Sequence, residues 1–264
     1  KHYGARAVDV VKANPYRLAL DMHGIGFITA DRIAQKLGFP RNSPRRAEAG
    51  LVYVLSEMSS KGHVFCPLEE LLETAGQMLE VEESILAEGM DALRIDERVV
   101  LEELKRRRIT AVYPSAQHAA ERGVAHKLRA LLAAPRTAKP IEAKKAIKWV
   151  EEEQGLTLAE KQAEALRQAA KSKVLVVTGG PGTGKTTIIR AILHISSAIK
   201  ARTYLAAPTG RAAKRMSEAT EREARTIHRL LEWGQDGSGF GRNEDNPLHC
   251  SLLILDEASM IDNR

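Results

Sequence analysis

Aromatic residues make up only 4% of this 264-residue sequence, cysteine occurs twice, and no apolar run is long enough to span a bilayer. Each shortage excludes something. Cys66 and Cys250 lie far apart and outside any metal-ligand spacing, so neither a disulfide framework nor a zinc site is suggested. So few rings leave little material for stacking on nucleobases, and any grip on a polynucleotide has to lean on phosphate contacts. The absence of a membrane span and of a signal-peptide pattern points to the cytoplasm. The first residue is Lys1, not methionine, and the chain stops just after an apparent strand, which suggests a piece of a longer protein. Hydrophobic residues, at 44%, are ample for real cores, and the length calls for two or three units. A formal charge of +6 favours an anionic partner, with nucleic acid the first candidate.

The texture changes along the chain. Tyr3 to about Phe39 reads as short helices broken by Asn14-Pro15 and by Gly24-Ile25-Gly26. Ser43 to Leu93 is helical, and Arg98 to Tyr113 turns β-rich around the basic LKRRR. Another helix is expected over Pro114 to Leu132, then a boundary in AAPRTAKP (Ala133 to Pro140) and a helix near Lys144 to Glu153. Helix and strand patterns then alternate, the signature of a parallel α/β sheet. These changes divide the chain into residues 1–40, a hairpin of helices; 41–135, a helical module with a β-hairpin, for which a winged-helix-like form is one option; 136–154, a linker helix; and 155–264, an α/β domain.

Within that domain the stretch VLVVTGGPGTGKTTII (Val174 to Ile189) stands out. Val174 to Val177 reads as a buried strand, and a glycine-rich loop follows, GGPGTGKT from Gly179 to Thr186, the full Walker A pattern. Gly180, Pro181, Gly182, Thr183, Gly184, Lys185, Thr186 and Thr187 are expected to bind ATP, the loop's amides cradling its phosphates at a helix N-terminus. Lys185 would reach the β- and γ-phosphates, and the Thr186 hydroxyl would sit on Mg²⁺. Downstream, SLLILDEAS (Ser251 to Ser259) reads as a second buried strand ending in two carboxylates. Phosphoryl transfer to water needs one carboxylate for the metal and another for the attacking water, so Asp256 is assigned to metal and Glu257 to water.

The motifs together resemble those of superfamily 1 helicases. DEASMID (Asp256 to Asp262) is similar to their motif II, AAPTGRAAKRM (Ala206 to Met216) to motif Ia, TIHRLL (Thr226 to Leu231) to motif Ib, and LTLAEKQAEAL (Leu156 to Leu166) to the Q-motif. The combination most resembles the RecD-like helicases of the 5′-to-3′ class, in the type whose own N-terminal region precedes the motor. The resemblance covers roughly residues 155–264. It implies a RecA-like P-loop NTPase domain, with a parallel sheet left incomplete, behind a mostly α-helical region with a β-hairpin. It also implies ATP-driven movement on single-stranded DNA and opening of fork junctions, in repair or recombination. Gln162 would bond the adenine edge, while Pro208, Thr209, Arg211 and His228 would contact DNA. A second motor domain, missing from this chain, would supply further arginines, so the isolated chain is expected to be inactive. A DNA-binding regulatory ATPase that uses nucleotide only as a conformational switch is the alternative.

Two N-terminal features remain. GIGFITADRIAQKLG (Gly24 to Gly38) has dinucleotide-site spacing, but the residues before it suggest a helix where that site needs a strand. It resembles instead a helix-hairpin-helix, with Ile25 as apolar plug, Ala30 and Ile33 packing the second helix, and the Gly24 and Gly26 turn holding a DNA phosphate. A purely structural hairpin stays open, and YGARAVDVVKANPYRL (Tyr3 to Leu18) could be half of a tandem copy. Lys105 to Arg108, between the apolar runs of a β-hairpin, could be a wing touching nucleic acid. A solvated loop is preferred there, since charge runs usually mark exposed surface.

Overall fold

The computed structural model describes residue 4 and residues 7–22, 24–135, 141–234 and 239–261. The first residues of the suggested tandem copy, residues 136–140 of the boundary segment and Asp262 of DEASMID lie outside them, at least in part. Internal contacts divide the chain into one unit up to His126 and a second from Lys127.

The first unit is built from α1 (Ala7–Ala13), α2 (Arg17–Asp21), α3 (Phe27–Lys36), α4 (Pro44–Ser60), β1 (Cys66–Pro67), α5 (Leu68–Leu79), α6 (Glu83–Ile95), β2 (Val99–Leu104) and β3 (Ile109–Pro114); α7 (Ser115–Ala133) leads on towards the second unit. Helix α3 forms where Phe27, Ala30 and Ala34 recur on one buried face. It ends in a Schellman turn: Gly38 takes φ +81° and the Phe39 amide donates to the Ala34 carbonyl at 3.0 Å. Ile25 and Ile33 pack against the core, as the hairpin reading requires. Pro44 opens α4 at a position where its missing N–H costs nothing. Helix α6 lies so close to α4 that a Cβ at Gly89 would fall 2.8 Å from Ala47 Cβ and 3.0 Å from the Glu48 nitrogen.

A three-stranded antiparallel sheet, in the order β1-β3-β2, closes this unit, with Cys66 opposite Val112 and Leu104 opposite Ile109. One hydrophobic core runs from Tyr16 through Ala47, Leu51, Leu71 and Leu93 to Val112, passing residue 40 without a break. Inside it lies an ion pair. Asp31 and Arg46 are 8% and 6% exposed, and Arg46 Nε and Nη2 donate to the two carboxylate oxygens at 2.8 and 3.1 Å. The Tyr16 hydroxyl donates to Asp31 at 2.9 Å, Gln35 at 3.1 Å, and Arg46 Nη1 reaches the Leu79 carbonyl at 2.8 Å. Burial alone would raise the Asp31 pKa, but the Arg46 and Tyr16 hydrogen bonds and the guanidinium charge outweigh it and hold the carboxyl below its ordinary value. Burial, then the bond to Asp31, pushes the Tyr16 phenol well up.

The second unit contains α8 (Ala143–Gln154), α9 (Glu160–Lys171), α10 (Lys185–Ala198), β4 (Thr203–Ala207), α11 (Gly210–Thr220), β5 (Ala224–Thr226), α12 (Ile227–Leu230), β6 (Trp233–Gly234), β7 (Gly239–Phe240) and β8 (Leu252–Leu255). Strands β5, β4 and β8 form a parallel sheet in that order, Leu205 pairing with Ala224 on one side and Ile254 on the other. Val150, Leu166, Ile188 and Ala191 join α8, α9 and α10, while Leu193, Leu205 and Met216 tie α10 and α11 to the sheet.

Two expectations fail here. Val174–Val177 is not a buried strand: the segment belongs to no sheet, and Val176 is 80% exposed. Strand β8 is only half-buried, alternating intermediate and exposed residues. The cause is shared. Among the described strands β8 pairs only with β4, and none pairs with Val174–Val177. A β-branched run supplies propensity, whereas a buried strand also needs hydrogen-bonded neighbours and a covering layer.

Replacing Asp31 with alanine strands a guanidinium in the core and should cost about 3–5 kcal/mol, whereas replacing the pair together by Leu and Met should cost far less. Because the folded-state pKa of Asp31 is depressed, its stabilising share is complete above the unfolded value of about 4 and is lost as pH falls through the lower folded value. Urea midpoints followed by circular dichroism between neutral pH and pH ~2 check both, with a flatter acid limb expected for Asp31→Asn.

Candidate functional site

The glycine-rich loop ends where α10 begins. Gly182 and Gly184 have φ of +73° and +84°, and Gly184 caps the 14-residue helix, its carbonyl accepting the Ile188 amide at 3.2 Å. Lys185 Nζ donates to the Gly179 and Gly180 carbonyls at 2.6 and 2.8 Å, and Thr183 Oγ1 donates to Gly180 at 2.9 Å. The loop is thus closed around its own lysine. A Cβ at Gly179 would sit 2.6 Å from Thr183 Oγ1, so the curl has no room for a side chain there. A helix N-terminus, exposed loop amides, an ammonium and the exposed Thr186 fit an oxyanion of the polyphosphate type.

Gln162 joins the loop from α9. Its Oε1 accepts the Ala159 amide at 3.0 Å, covering a first-turn donor of α9, and its Nε2 donates to the Thr183 carbonyl at 3.4 Å. A Cβ at Gly184 would come within 2.1 Å of that nitrogen. Gln162, Thr183, Gly184 and Lys185 are therefore brought together, while Thr187 stands half-buried in the first turn of α10.

The carboxylates stand at the end of β8. The Asp256 amide extends the ladder to the Ala206 carbonyl at 3.0 Å, and Asp256 Oδ1 accepts the Glu257 amide at 2.9 Å. Glu257 is exposed, with φ +50°. Among the described residues no cluster of three or more metal-ligating side chains occurs, and neither carboxylate bonds Lys185 or Thr186. A cation here would rest on Asp256, Thr186 and ligand oxygens, a donor set that suits Mg²⁺.

Strand β4 ends at Ala207 and leads directly into Pro208, Thr209, Gly210 and Arg211. Thr209 is the N-cap of α11, its side-chain oxygen accepting the Ala212 amide at 3.2 Å. Arg211 and Arg215 are exposed, and Lys214 reaches Glu218 only at 3.9 Å. His228, on α12, lies 6.0 Å from the rings of both Trp233 and Phe240, which meet edge to face at 4.6 Å. This cluster, with Trp233 46% exposed, is legible in sequence only as a tryptophan and a phenylalanine at either end of a glycine-rich segment. In the first unit Gly24 has φ +91°, which favours glycine, whereas Gly26 has φ −82° and open space where a Cβ would stand. Gly26 is the N-cap of α3.

A model described as "AAA domain" matches residues 162–264, and one described as "ATP-dependent RecD2 DNA helicase HHH domain" matches residues 1–65. The ATP-dependent RecD2 DNA helicase of Deinococcus radiodurans is 35% identical, with 99% of this chain and 37% of that protein aligned. The RecBCD enzyme subunit RecD of Mycobacterium tuberculosis is 35% identical over 39% of this chain and 22% of its own length; that of Haemophilus influenzae is 34% identical over 38% and 20%. Fold and site thus define a P-loop nucleoside-triphosphatase domain behind a helical helix-hairpin-helix region. Within that class the chain belongs to the RecD-like proteins of superfamily 1 that carry their own N-terminal helix-hairpin-helix. It spans about 37% of the length of the Deinococcus relative.

Thr209 already serves as a helix cap. Thr209→Val should therefore lower the stability of the second unit by about 1 kcal/mol with no nucleic acid present, while Thr209→Ser should stay near wild type; denaturant titrations of the purified variants check this.

Proposed function

We propose that this chain is part of an ATP-dependent DNA helicase that moves along single-stranded DNA, in the 5′-to-3′ direction, and opens duplexes at fork junctions. The observation that carries the reading is the self-closed loop at α10, with Lys185 on the Gly179 and Gly180 carbonyls. A lysine so held is ready to be taken over by phosphate oxygens, which bind an ammonium more strongly than neutral carbonyls do. In this reading Gly180, Pro181, Gly182, Thr183, Gly184, Lys185, Thr186 and Thr187 form the ATP cradle and Gln162 faces the adenine. Thr186 and Asp256 hold Mg²⁺. A bound magnesium nucleotide supplies a γ-phosphoryl group made electrophilic by charge neutralisation. Lys185 then balances charge on the phosphates, and Glu257 orients and deprotonates the attacking water.

DNA contact is assigned to Pro208, Thr209, Arg211 and His228, where α11 begins and the aromatic cluster lies, and to the Gly24–Gly26 turn. The open space at Gly26 supports a close approach there. The four sequence segments, 1–40, 41–135, 136–154 and 155–264, remain our proposed division. Among the described residues no helix is long and apolar enough to cross a membrane; the cytoplasm is our proposed location.

In the full-length protein, Lys185→Ala should largely abolish ATP hydrolysis, and Glu257→Gln should bind ATP yet turn it over at least about 100-fold more slowly. Nucleotide binding by fluorescence and DNA-stimulated phosphate release separate the two roles. Strand displacement decides between a helicase and a nucleotide-switched DNA-binding protein: ATP-dependent affinity without duplex opening would favour the second.

A further inference from the structure

The module after the helical hairpin runs α4, β1, α5, α6, β2, β3, with a β1-β3-β2 sheet and a three-residue connection, Glu80–Glu82, between α5 and α6. That is the order of a winged helix: a helix-turn-helix pair followed by a hairpin that a third strand stiffens. The hairpin turn holds four successive cations. Lys105, Arg106, Arg107 and Arg108 are all exposed, and the turn closes through the Arg107 and Arg108 amides on the Leu104 carbonyl, both at 2.9 Å. Arg108 has φ +55°, a conformation in which glycine would be the unstrained choice.

We propose that Lys105–Arg108 is a phosphate-gripping wing that binds duplex DNA without reading its sequence. None of the four side chains makes a hydrogen bond or ion pair among the described residues, although carboxylates are near. Glu102 is turned to His118 at 3.3 Å, and Glu69 and Glu103 border the depression beside Lys105 and Arg108 without reaching either within 4.0 Å. Several other arginines have carboxylate partners, Arg46 with Asp31, Arg167 with Glu164, Arg225 with Glu223 and Arg242 with Glu232, and those without one among the described residues, such as Arg32, Arg41 and Arg129, do not stand four in a row. A solvated loop explains the exposure. It does not explain four like charges concentrated on a turn that a three-stranded sheet holds rigid.

The other half of the module argues for a wing-first contact. Helix α6, which would enter a major groove in a helix-first mode, exposes Glu83, Glu88 and Asp91, and its Arg94 is drawn to Asp91 at 3.3 Å. Such a surface is repelled by phosphates. No aromatic residue lies in the turn to stack on unpaired bases, so paired strands, which offer closely spaced phosphates, are the better target. The inference stands on the first unit alone and does not depend on the motor reading.

The test uses the full-length protein without nucleotide, with fluorescence anisotropy on labelled duplex and single-stranded oligonucleotides across a salt series. A variant carrying Lys105→Ser, Arg106→Ser and Arg107→Ser keeps Arg108 for the turn. It should lose about tenfold or more in duplex affinity at ~0.1 M salt, with the log–log salt slope smaller by about 2–3 and single-strand binding nearly unchanged. Glu103→Lys, beside the turn, should tighten duplex binding and steepen the slope by about 1, a gain that misfolding cannot imitate. Unaltered duplex affinity and slope in both folded variants would overturn the proposal. So would equal losses on duplex and single strands, or a turn whose charges matter only for an acidic protein captured from the same solution.

Discussion

A carboxylate and a guanidinium removed from water can exist only in each other's company, and in the first unit that necessity fixes the architecture. Asp31 comes from the second helix of the N-terminal hairpin and Arg46 from the first turn of α4, so the pair exists only when the hairpin is seated on the helical module. Tyr16 brings in the segment before α2, and the Leu79 carbonyl brings in the end of α5. The arrangement adds little net stability over a well-packed hydrophobic substitute, because desolvating two charges offsets most of their attraction. It also bears on register: a displaced hairpin would leave two buried charges unpaired, at a cost of about 3–5 kcal/mol.

The same accounting of charge separates the rest of the surface. Many arginines and lysines of this basic chain are quieted by a nearby carboxylate, and those pairs at the surface carry little energy. Among the described residues, exposed cations with no carboxylate within 4.0 Å occur along much of the chain, and two sets of them stand close together. They lie at the β2–β3 turn and at the N-terminal half of α11, both places where the backbone is held by a sheet or a cap. Rigid presentation of unneutralised charge lowers the entropy lost when a polyanion is bound.

How much of this could be read from the sequence follows the range of the forces involved. The places where α10 begins and β8 ends are legible because the glycine-rich loop and the Asp256–Glu257 step are written in adjacent residues. The helical hairpin was legible for the same reason, with Gly24, Ile25, Ala30 and Ile33 in the expected places. Val174–Val177 misled because its pattern reports only local propensity, and no described strand lies beside it. Strand β1 is not legible, for the opposite reason: Cys66 and Pro67 have no strand signature and are extended because β3 pairs with them. Nor does anything local to Asp31 announce a partner fifteen residues away. The cluster of His228, Trp233 and Phe240 depends on the antiparallel pairing of β6 with β7, which sets Trp233 opposite Phe240.

Gln162 has a consequence of its own. A carboxamide is nearly symmetric in shape and free to turn over, which exchanges its donor and its acceptor. Here one end is tied to the Ala159 amide and the other to the Thr183 carbonyl, so turning over would set like against like at both ends. The remaining lone pair and N–H are therefore presented in a fixed order. Adenine offers a donor and an acceptor side by side on its N6/N7 edge, while guanine offers two acceptors on the corresponding edge. In the role proposed for Gln162, the choice between purines becomes a question of handedness in a hydrogen-bond pattern, settled by the fold before any base arrives.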